Sequence, residues 1–305
     1  MGRYLLVRFI ESMVTLLIVS MVVFVLARST GDPVTLLISD QATAEDMARL
    51  KRQLGLDQPL PVQYWVFVTN AAQGNLGKSI TDKGDVARLI AERFPNSLSI
   101  GAMALALSTV LGMVLGVAAA VRRNTWVDKS VRVVAVLGQS MPSFWLSIML
   151  IFVFSVMLRV VPTSGIGTPA HYVLPVAVLT FLALPLRTRL MRSSMLEILG
   201  AEYVKMARAK GLAEGSVIWR HAVRNALSPQ LTSFGLTLAF AITGSVVIET
   251  VFAWPGLGQL AYQAMLSRDY PLIQGTVLLV AVFVLAANLL VDVLYVYVDP
   301  RIRYD

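Results

Sequence analysis

The stretch of this sequence closest to a phosphate-binding motif is AQGNLGKS, residues 72–79. A nucleotide-binding loop of this type follows a buried strand and opens a helix, so that backbone N–H groups and a lysine surround the phosphates. Here Ala72 replaces the first glycine, and the residues before it do not form a strand pattern. We therefore interpret the stretch as a glycine-rich turn and expect no ATP binding by this chain.

Other catalytic combinations of side chains are equally weak. The two histidines, His171 and His221, are separated by an apolar segment that we interpret below as a membrane span with its basic end, so they fall on opposite sides of the predicted membrane and cannot share a metal ion. The chain has no cysteine, and this excludes disulfides, thiol catalysis and thiolate metal sites. The carboxylates in apolar segments, chiefly Glu11, Glu249 and Asp292, lie near segment ends and do not form the acid pair of an intramembrane protease. We expect no catalytic residue and no metal site.

The basic segment of residues 202–227 has the pattern of two short helices joined by a turn. Residues 202–210 favour helix, Gly211 is a typical helix stop, and residues 214–227 fit a second helix. In that second helix, Arg220 and Arg224 share one face, and small or apolar residues line the opposite face. The pattern predicts a helical hairpin that buries one side.

This predicted hairpin has two readings. Arginines alone would favour a loop that sets orientation and lies on anionic lipid. Small residues at Ala207 and Ala209, a glycine hinge at Gly211 and an amphipathic second helix are more typical of an element that docks into a groove of another protein. Arg208 is a candidate coupling residue of the same element. The spacing therefore predicts a protein partner on the cytoplasmic side.

Composition places the chain in a bilayer, because 56% of its residues are hydrophobic and only 14% are charged. Apolar segments of about twenty residues match the thickness of the hydrocarbon layer. The first resembles a signal peptide, but its length and the lack of a cleavage site indicate a retained span. We predict an all-α polytopic membrane protein of 305 residues with six transmembrane helices at residues 9–27, 98–121, 131–158, 172–190, 229–252 and 272–297.

Charge sets the predicted orientation. With six spans, both termini and the basic loops of residues 122–129 and 191–228 share one side, which the positive-inside rule makes cytoplasmic. The net charge of +8 then reports orientation, and we expect no nucleic acid partner. Residues 28–97 fall outside, with one short helix from Thr43 to near Gly55 and another from Asp85 that Pro95 ends.

Polar and small residues within the spans mark faces that turn towards the bundle interior. Pro142 predicts a kink in the third span, and Gly112 with Gly116 predicts close helix packing in the second. Packing and substrate contact are both open for the polar residues. The candidate pathway-lining residues are Gln139, Ser140 and Ser143 in the third span, and Thr237, Thr243 and Ser245 in the fifth.

Several motifs resemble one family along nearly the whole chain. Glu202, Ala207 and Gly211 fit the EAA loop of permease subunits in binding-protein-dependent ABC importers, and EYVKMARAKGL with WRHAVRNALSP looks like the dipeptide, oligopeptide and nickel branch. Residues 203–206 dilute the alanine-rich form of this loop, as is usual for that branch. The further matching motifs are GDP at 31–33, ETVFAWPGLG at 249–258, RDYPLIQG at 268–275 and DPRIR at 299–303.

The resemblance implies a type I importer fold in a bacterial or archaeal cytoplasmic membrane. It also implies a homologous second permease subunit, two cytosolic ATP-binding subunits that hold ATP and Mg, and an extracytoplasmic solute-binding protein. The loop of residues 191–228 would couple closure of the ATPase subunits to alternating access. In it, Glu202 would contribute to the helix surface, Ala207 would permit close approach of the partner, and Gly211 would act as the hinge. The implied cargo is a di- or oligopeptide, the alternatives being a nickel complex or, outside the family, a secondary transporter.

Overall fold

The computed structural model describes residues 2–29, 45, 49, 51–52, 55–227, 230 and 245–298. Within these residues the chain is helical, apart from one isolated β-bridge between Lys78 and Asp85. The all-α prediction is confirmed. The described residues divide mainly into two compact units, formed by Met1–Asn96 with Pro255–Leu289, and by Ser97–Trp254.

The principal helices follow one another with short connections. In chain order the described helices are α1 (Gly2–Ser29), α2 (Leu60–Ala72), α3 (Val86–Val121), α4 (Trp126–Ser140), α5 (Ser143–Met157), α6 (Ala170–Leu199), α7 (Glu202–Ala209), α8 (214–226), α9 (Val246–Val251), α10 (Leu257–Leu266) and α11 (Tyr270–Val298). The last seven residues of α5, Ile151–Met157, and the centre of α8, Val217–Val223, are π-helical.

Four of the described helices are long and apolar enough to cross a bilayer: Leu6–Ser29, Val86–Val121, Ala170–Leu199 and Tyr270–Leu290. Helices α4 and α5 together give a fifth candidate, broken by a bend of 106°. The predicted span at 229–252 is described only at Gln230 and from Ser245 onward. The count of six spans and the cytoplasmic position of both termini therefore stay predictions, and the motifs at 31–33 and 299–303 lie outside the described residues.

In the first unit, the glycine-rich stretch of residues 72–79 forms a turn, as the sequence predicts. Gly74 and Gly77 have φ values of +79° and +82°, a region that favours glycine, and the Asn75 side chain accepts a hydrogen bond from the Gly77 N–H at 3.0 Å. The Ser79 hydroxyl donates to the buried Asp269 carboxylate at 2.5 Å. This hydrogen bond fixes the turn to the residues just before α11.

Helix α3 does not stop at Pro95, so the predicted end there is wrong. The helix runs through the proline from Val86 to Val121. Packing within the first unit supports its first turns: Asn96 donates to the Pro255 carbonyl at 2.8 Å, and Gly275 leaves room for Val86. A Cβ at Gly275 would lie 2.6 Å from Val86 Cγ1. Tertiary contacts of this kind offset the local cost of an internal proline.

In the second unit, α3 lies against α6 through two glycines, as the small-residue spacing predicts. A Cβ at Gly112 would lie 2.6 Å from Arg187 Cβ, and one at Gly116 would lie 2.6 Å from Met191 Cβ. Helix α4 approaches α6 in the same way, since a Cβ at Gly138 would lie 2.8 Å from the Phe181 carbonyl oxygen. These glycines allow three helices to pack backbone against backbone.

In the second unit, one proline separates two helices, whereas two other prolines lie inside a continuous helix. Pro142 is extended at φ −61° and ψ 136° and separates α4 from α5, so the predicted kink is confirmed and is far sharper than a simple bend. Pro175 and Pro185 lie inside α6 without ending it. Helix α6 continues to Leu199, which carries helix into the segment of residues 191–228 that the sequence assigns to a loop.

Candidate functional site

The predicted hairpin is present as α7, a tight turn and α8. Gly211 makes the turn with φ +76°, and no atom lies within 4 Å of the position that a Cβ would take. The Gly211 N–H donates to the Arg208 carbonyl at 2.9 Å, and the Lys210 N–H donates to the Met206 carbonyl at 3.0 Å. Glycine is required here for its conformation rather than for space.

A small apolar core joins the two helices of the hairpin. Val204 and Ala207 on α7 pack against Val217 on α8, and Ile198 at the end of α6 covers the cluster. Ala207 is only 7% exposed, so its small side chain permits the two helices to approach each other. Ala209, in contrast, is exposed on the outer surface.

Polar contacts across the turn hold the hairpin closed. Arg208 makes two hydrogen bonds to the Glu214 carboxylate, at 3.1 and 2.7 Å, and Asn225 donates to the Tyr203 hydroxyl at 2.9 Å. The Arg208 hydrogen bond lowers the pKa of Glu214 below its usual value, so that carboxylate stays ionised under mildly acidic conditions. Glu202 is exposed and pairs with Lys205 at 2.7 Å.

The inner face of α8 attaches the hairpin to the spans. Ala222, Val223 and Ala226 are buried, and they form one cluster with Met191 and Met195 on α6. Val117 and Ala120 at the end of α3 belong to the same cluster. The predicted opposition of faces is confirmed, because Arg220 and Arg224 are exposed on the other side of α8. A displacement of α8 would therefore act directly on the ends of α3 and α6.

The outer surface of the hairpin combines exposed apolar side chains with cations. Trp219 is 55% exposed and Met206 is 61% exposed. Exposed apolar groups outside a lipid-facing span typically mark a protein interface. The spacing of residues in the sequence indicates the cations of this surface but not its apolar groups, for which Trp219 beside Arg220 is the available signal. The hairpin surface consists of Tyr203, Met206, Leu212 and Trp219 together with Lys205, Lys210, Arg220 and Arg224.

A buried ion pair beside the hairpin could not be predicted from residue spacing in the sequence. Asp128 on α4 is fully buried, and Arg192 on α6 donates to both of its carboxylate oxygens at 2.7 and 3.0 Å. Arg132 contacts the same carboxylate at 3.3 Å, and the Asn124 N–H donates to it at 3.1 Å. Arg192 is one residue from Met191, so this pair ties α4 to the part of α6 that supports the hairpin.

The candidate pathway residues that the structure describes differ in their exposure. Gln139 and Ser140 are exposed at the end of α4, whereas Ser143 is half-buried at the start of α5. Ser245 is buried and donates to the Glu249 carboxylate at 2.6 Å, and Ser97 donates to the same oxygen at 2.7 Å. Thr237 and Thr243 lie outside the described residues.

The described ranges hold no group of three or more His, Cys, Asp or Glu side chains that could bind a metal ion. The His171 ring, in the first turn of α6, lies 2.9 Å from the hydroxyl of Thr168, which precedes the helix. The His221 side chain is half-buried in α8. The two histidines thus have separate local surroundings.

Comparison with known sequences gives consistent matches over the whole chain. Residues 112–304 match the family described as "Binding-protein-dependent transport system inner membrane component", and residues 1–101 match its N-terminal counterpart. A glutathione transport system permease protein of Salmonella choleraesuis is 41% identical over 305 residues and is matched over 100% of both chains. A Brucella abortus protein provisionally named a peptide transport system permease is 40% identical over 314 residues, again with 100% of both chains covered.

Comparison with solved structures shows the fold. A chain of the MetNI methionine ABC transporter, in an inward-facing conformation, superposes with a TM-score of 0.54 at 22% identity. The match covers 67% of this chain and 95% of that one. The arrangement of helices is therefore that of an ABC importer membrane subunit.

Proposed function

Because this chain belongs to the family of inner membrane components of binding-protein-dependent transport systems, we propose that it is one of two homologous permease subunits that form the pathway of an ATP-driven importer for short peptides. As a member of that family it is an integral membrane permease subunit without a catalytic role of its own. The surface of the α7–α8 hairpin is the observation that carries the coupling part of this proposal.

The peptide cargo is supported by the relatives. One is named for the transport of glutathione, which is a tripeptide, and another is provisionally named for peptide transport, and both match the chain over its full length. A peptide backbone presents amide donors and acceptors and charged ends, which polar side chains of a permease can bind in passing. Uptake of labelled dipeptides, glutathione and a nickel complex, in cells with and without this chain, tests the class. Loss of nickel uptake alone would contradict the peptide assignment.

The proposed partners are the second permease subunit, two cytosolic ATP-binding subunits and an extracytoplasmic solute-binding protein. ATP and Mg would be bound by the ATP-binding subunits, and this chain would hydrolyse nothing. Met206, Leu212 and Trp219 offer the apolar contacts of a docking helix, and the surrounding cations suit an acidic rim on the ATPase subunit. Closure of the two ATPase subunits would then move the hairpin.

Movement of the hairpin reaches the membrane through the inner face of α8. Ala222 and Ala226 are fully buried against the cluster that contains Met191 and Met195, so α8 cannot shift without moving the end of α6 or opening a cavity. The Arg208–Glu214 bonds keep α7 and α8 moving together. These contacts favour a mechanism in which the hairpin transmits force as a rigid piece.

Trp219→Ala tests the docking surface. Truncating an interfacial tryptophan typically weakens an interface by about 2 kcal/mol. We therefore expect the variant to lose ATPase subunits during purification through a tag on this chain, and to lose ATP-driven uptake in reconstituted vesicles. Trp65→Ala is the matched control, because Trp65 is 69% exposed on α2, a helix of the first unit that is not part of the hairpin. Equal retention of ATPase subunits by the two variants would show that the hairpin surface is not the docking site.

A further inference from the structure

Helix α4 presents two chemically different faces. Its buried face consists of Asp128, Val131, Ala135 and Gly138, and it packs against α6. An open cavity of about 500 Å³ lies against the other face and is lined by Lys129, Arg132, Val133, Val136 and Leu137. We call this cavity the α4 groove. None of these five residues is among the candidate pathway residues or belongs to the hairpin.

Along the helix axis, the lining of the groove changes from basic to apolar. Its two cations, Lys129 and Arg132, lie in the first two turns of α4, and its three apolar residues follow them between the end of the second turn and the fourth turn. At 1.5 Å of rise per residue, the distance from Lys129 to Leu137 is about 12 Å. A phospholipid has the same order over a similar length, with a phosphate next to the glycerol and then the acyl chains.

The charge at the head of the groove is positive because the neighbouring acid is already neutralised. The Asp128 carboxylate points to the buried side, where Arg192 donates to both of its oxygens. Arg132 contacts one of these oxygens at 3.3 Å, yet its side chain remains 53% exposed. Lys129, Arg132 and Arg192 against Asp128 give three positive charges and one negative charge, a net charge of +2. Arg122 and Arg123 are exposed just before the helix and add to this.

An exposed tryptophan marks the level of the membrane interface. Trp126 is 81% exposed in the first turn of α4, and Lys129 Nζ lies 5.7 Å from its ring centroid. Tryptophan is enriched where headgroups meet hydrocarbon, and basic side chains near span ends reach towards phosphates. The first turn of α4 therefore belongs at headgroup depth and the valines at acyl-chain depth.

We propose that the α4 groove binds an anionic phospholipid, with its phosphate between Lys129 and Arg132 and an acyl chain along Val133, Val136 and Leu137. Basic pockets on the cytoplasmic side of membrane helices have the chemistry for such headgroups. The proposal requires only that α4 enters a bilayer, and it is independent of the cargo and of ATPase coupling.

Trp126 provides the probe for this site. The complex, purified through a tag on this chain, is placed in phosphatidylcholine vesicles with a rising fraction of brominated phosphatidylglycerol. The Trp126 signal is the fluorescence of the unmodified complex minus that of Trp126→Phe. We expect saturable quenching at a low phosphatidylglycerol fraction, and weaker, linear quenching by brominated phosphatidylcholine. Lys129→Gln with Arg132→Gln, in the same subtraction, lowers the apparent affinity for phosphatidylglycerol on the order of tenfold.

Two exposed cations outside the groove give a matched control. Lys83→Gln with Arg159→Gln removes the same charge and is expected to leave the saturable quenching unchanged. Equal quenching by the two brominated lipids would overturn the proposal, because the groove would then contact bulk lipid without preference for an anionic headgroup. Absence of quenching would assign the groove to another protein chain such as the second permease subunit. Abolition of the phosphatidylglycerol signal by inorganic phosphate would assign it to the free anion.

Discussion

Asp128 shows how one buried carboxylate can join two helices through Arg192, a residue 64 positions further along the chain. A carboxylate without a partner would cost several kcal/mol to bury, so its position depends on the two hydrogen bonds from Arg192. Arg132 adds a longer and more exposed contact at 3.3 Å. The residue therefore acts as a structural tie between α4 and the part of α6 beneath the hairpin.

Asp128→Ala should lower the free energy of unfolding by about 3 kcal/mol, because it leaves a partly buried Arg192 without its carboxylate. The loss is measured as a lower temperature of thermal unfolding of the purified complex. Uptake should fall as well, since α6 loses its tie to α4. Arg132→Gln is the control: its guanidinium is half exposed, and an exposed pair contributes about 0–1 kcal/mol. Unfolding temperatures that fall equally in both variants would contradict the assigned role of Arg192.

The hairpin is the element that local sequence patterns describe best. The glycine at the end of the first helix, the four-residue spacing of Arg220 and Arg224, and the small residues on the opposite face predict α7, the turn and α8. The structure contains all three. Local patterns do not orient Ala207: its small size suggests a docking surface, whereas in the structure it is buried against Val217. The direction of a small residue on a short helix is decided by the partner helix, which sequence spacing does not reveal.

Gly211→Pro tests the turn as an element. Proline fixes φ near −65° and removes the N–H that bonds the Arg208 carbonyl, so it opposes the observed φ of +76° on two grounds. Incompatible substitutions of this type cost more than about 1 kcal/mol. We expect the variant to retain ATP hydrolysis by the assembled complex while uptake is lost, measured together in reconstituted vesicles.

Gly211→Asn is the matched variant, because asparagine tolerates the left-handed region and keeps the N–H. No atom lies within 4 Å of the Cβ that it adds. Uptake coupled to hydrolysis should persist in it. If uptake were equal in the proline and asparagine variants, the geometry of the turn would have no part in coupling.

At the scale of the whole molecule, composition and hydropathy predict the membrane class and most of the long apolar helices. They misplace helix ends wherever packing is stronger than a local signal: Pro95 lies inside α3, and α6 continues past Leu190 to Leu199. The sequence also cannot pair Asp128 with Arg192 or Ser79 with Asp269, since nothing local connects residues so far apart. Distant polar pairs of this kind define the interior, and they become visible only in three dimensions.

Sidedness is the remaining property of the whole chain, and it rests on the positive-inside rule. The chain has no cysteine, so single cysteines introduced at exposed positions can be labelled without background. Asp82→Cys reports the segment predicted outside, and Arg123→Cys and Ala209→Cys report the loop and hairpin predicted inside. In sealed right-side-out vesicles, a membrane-impermeant maleimide should label only the first; after permeabilisation it should also label Arg123→Cys. Labelling of Ala209→Cys in sealed vesicles would place the hairpin outside, where no cytosolic ATPase could reach it.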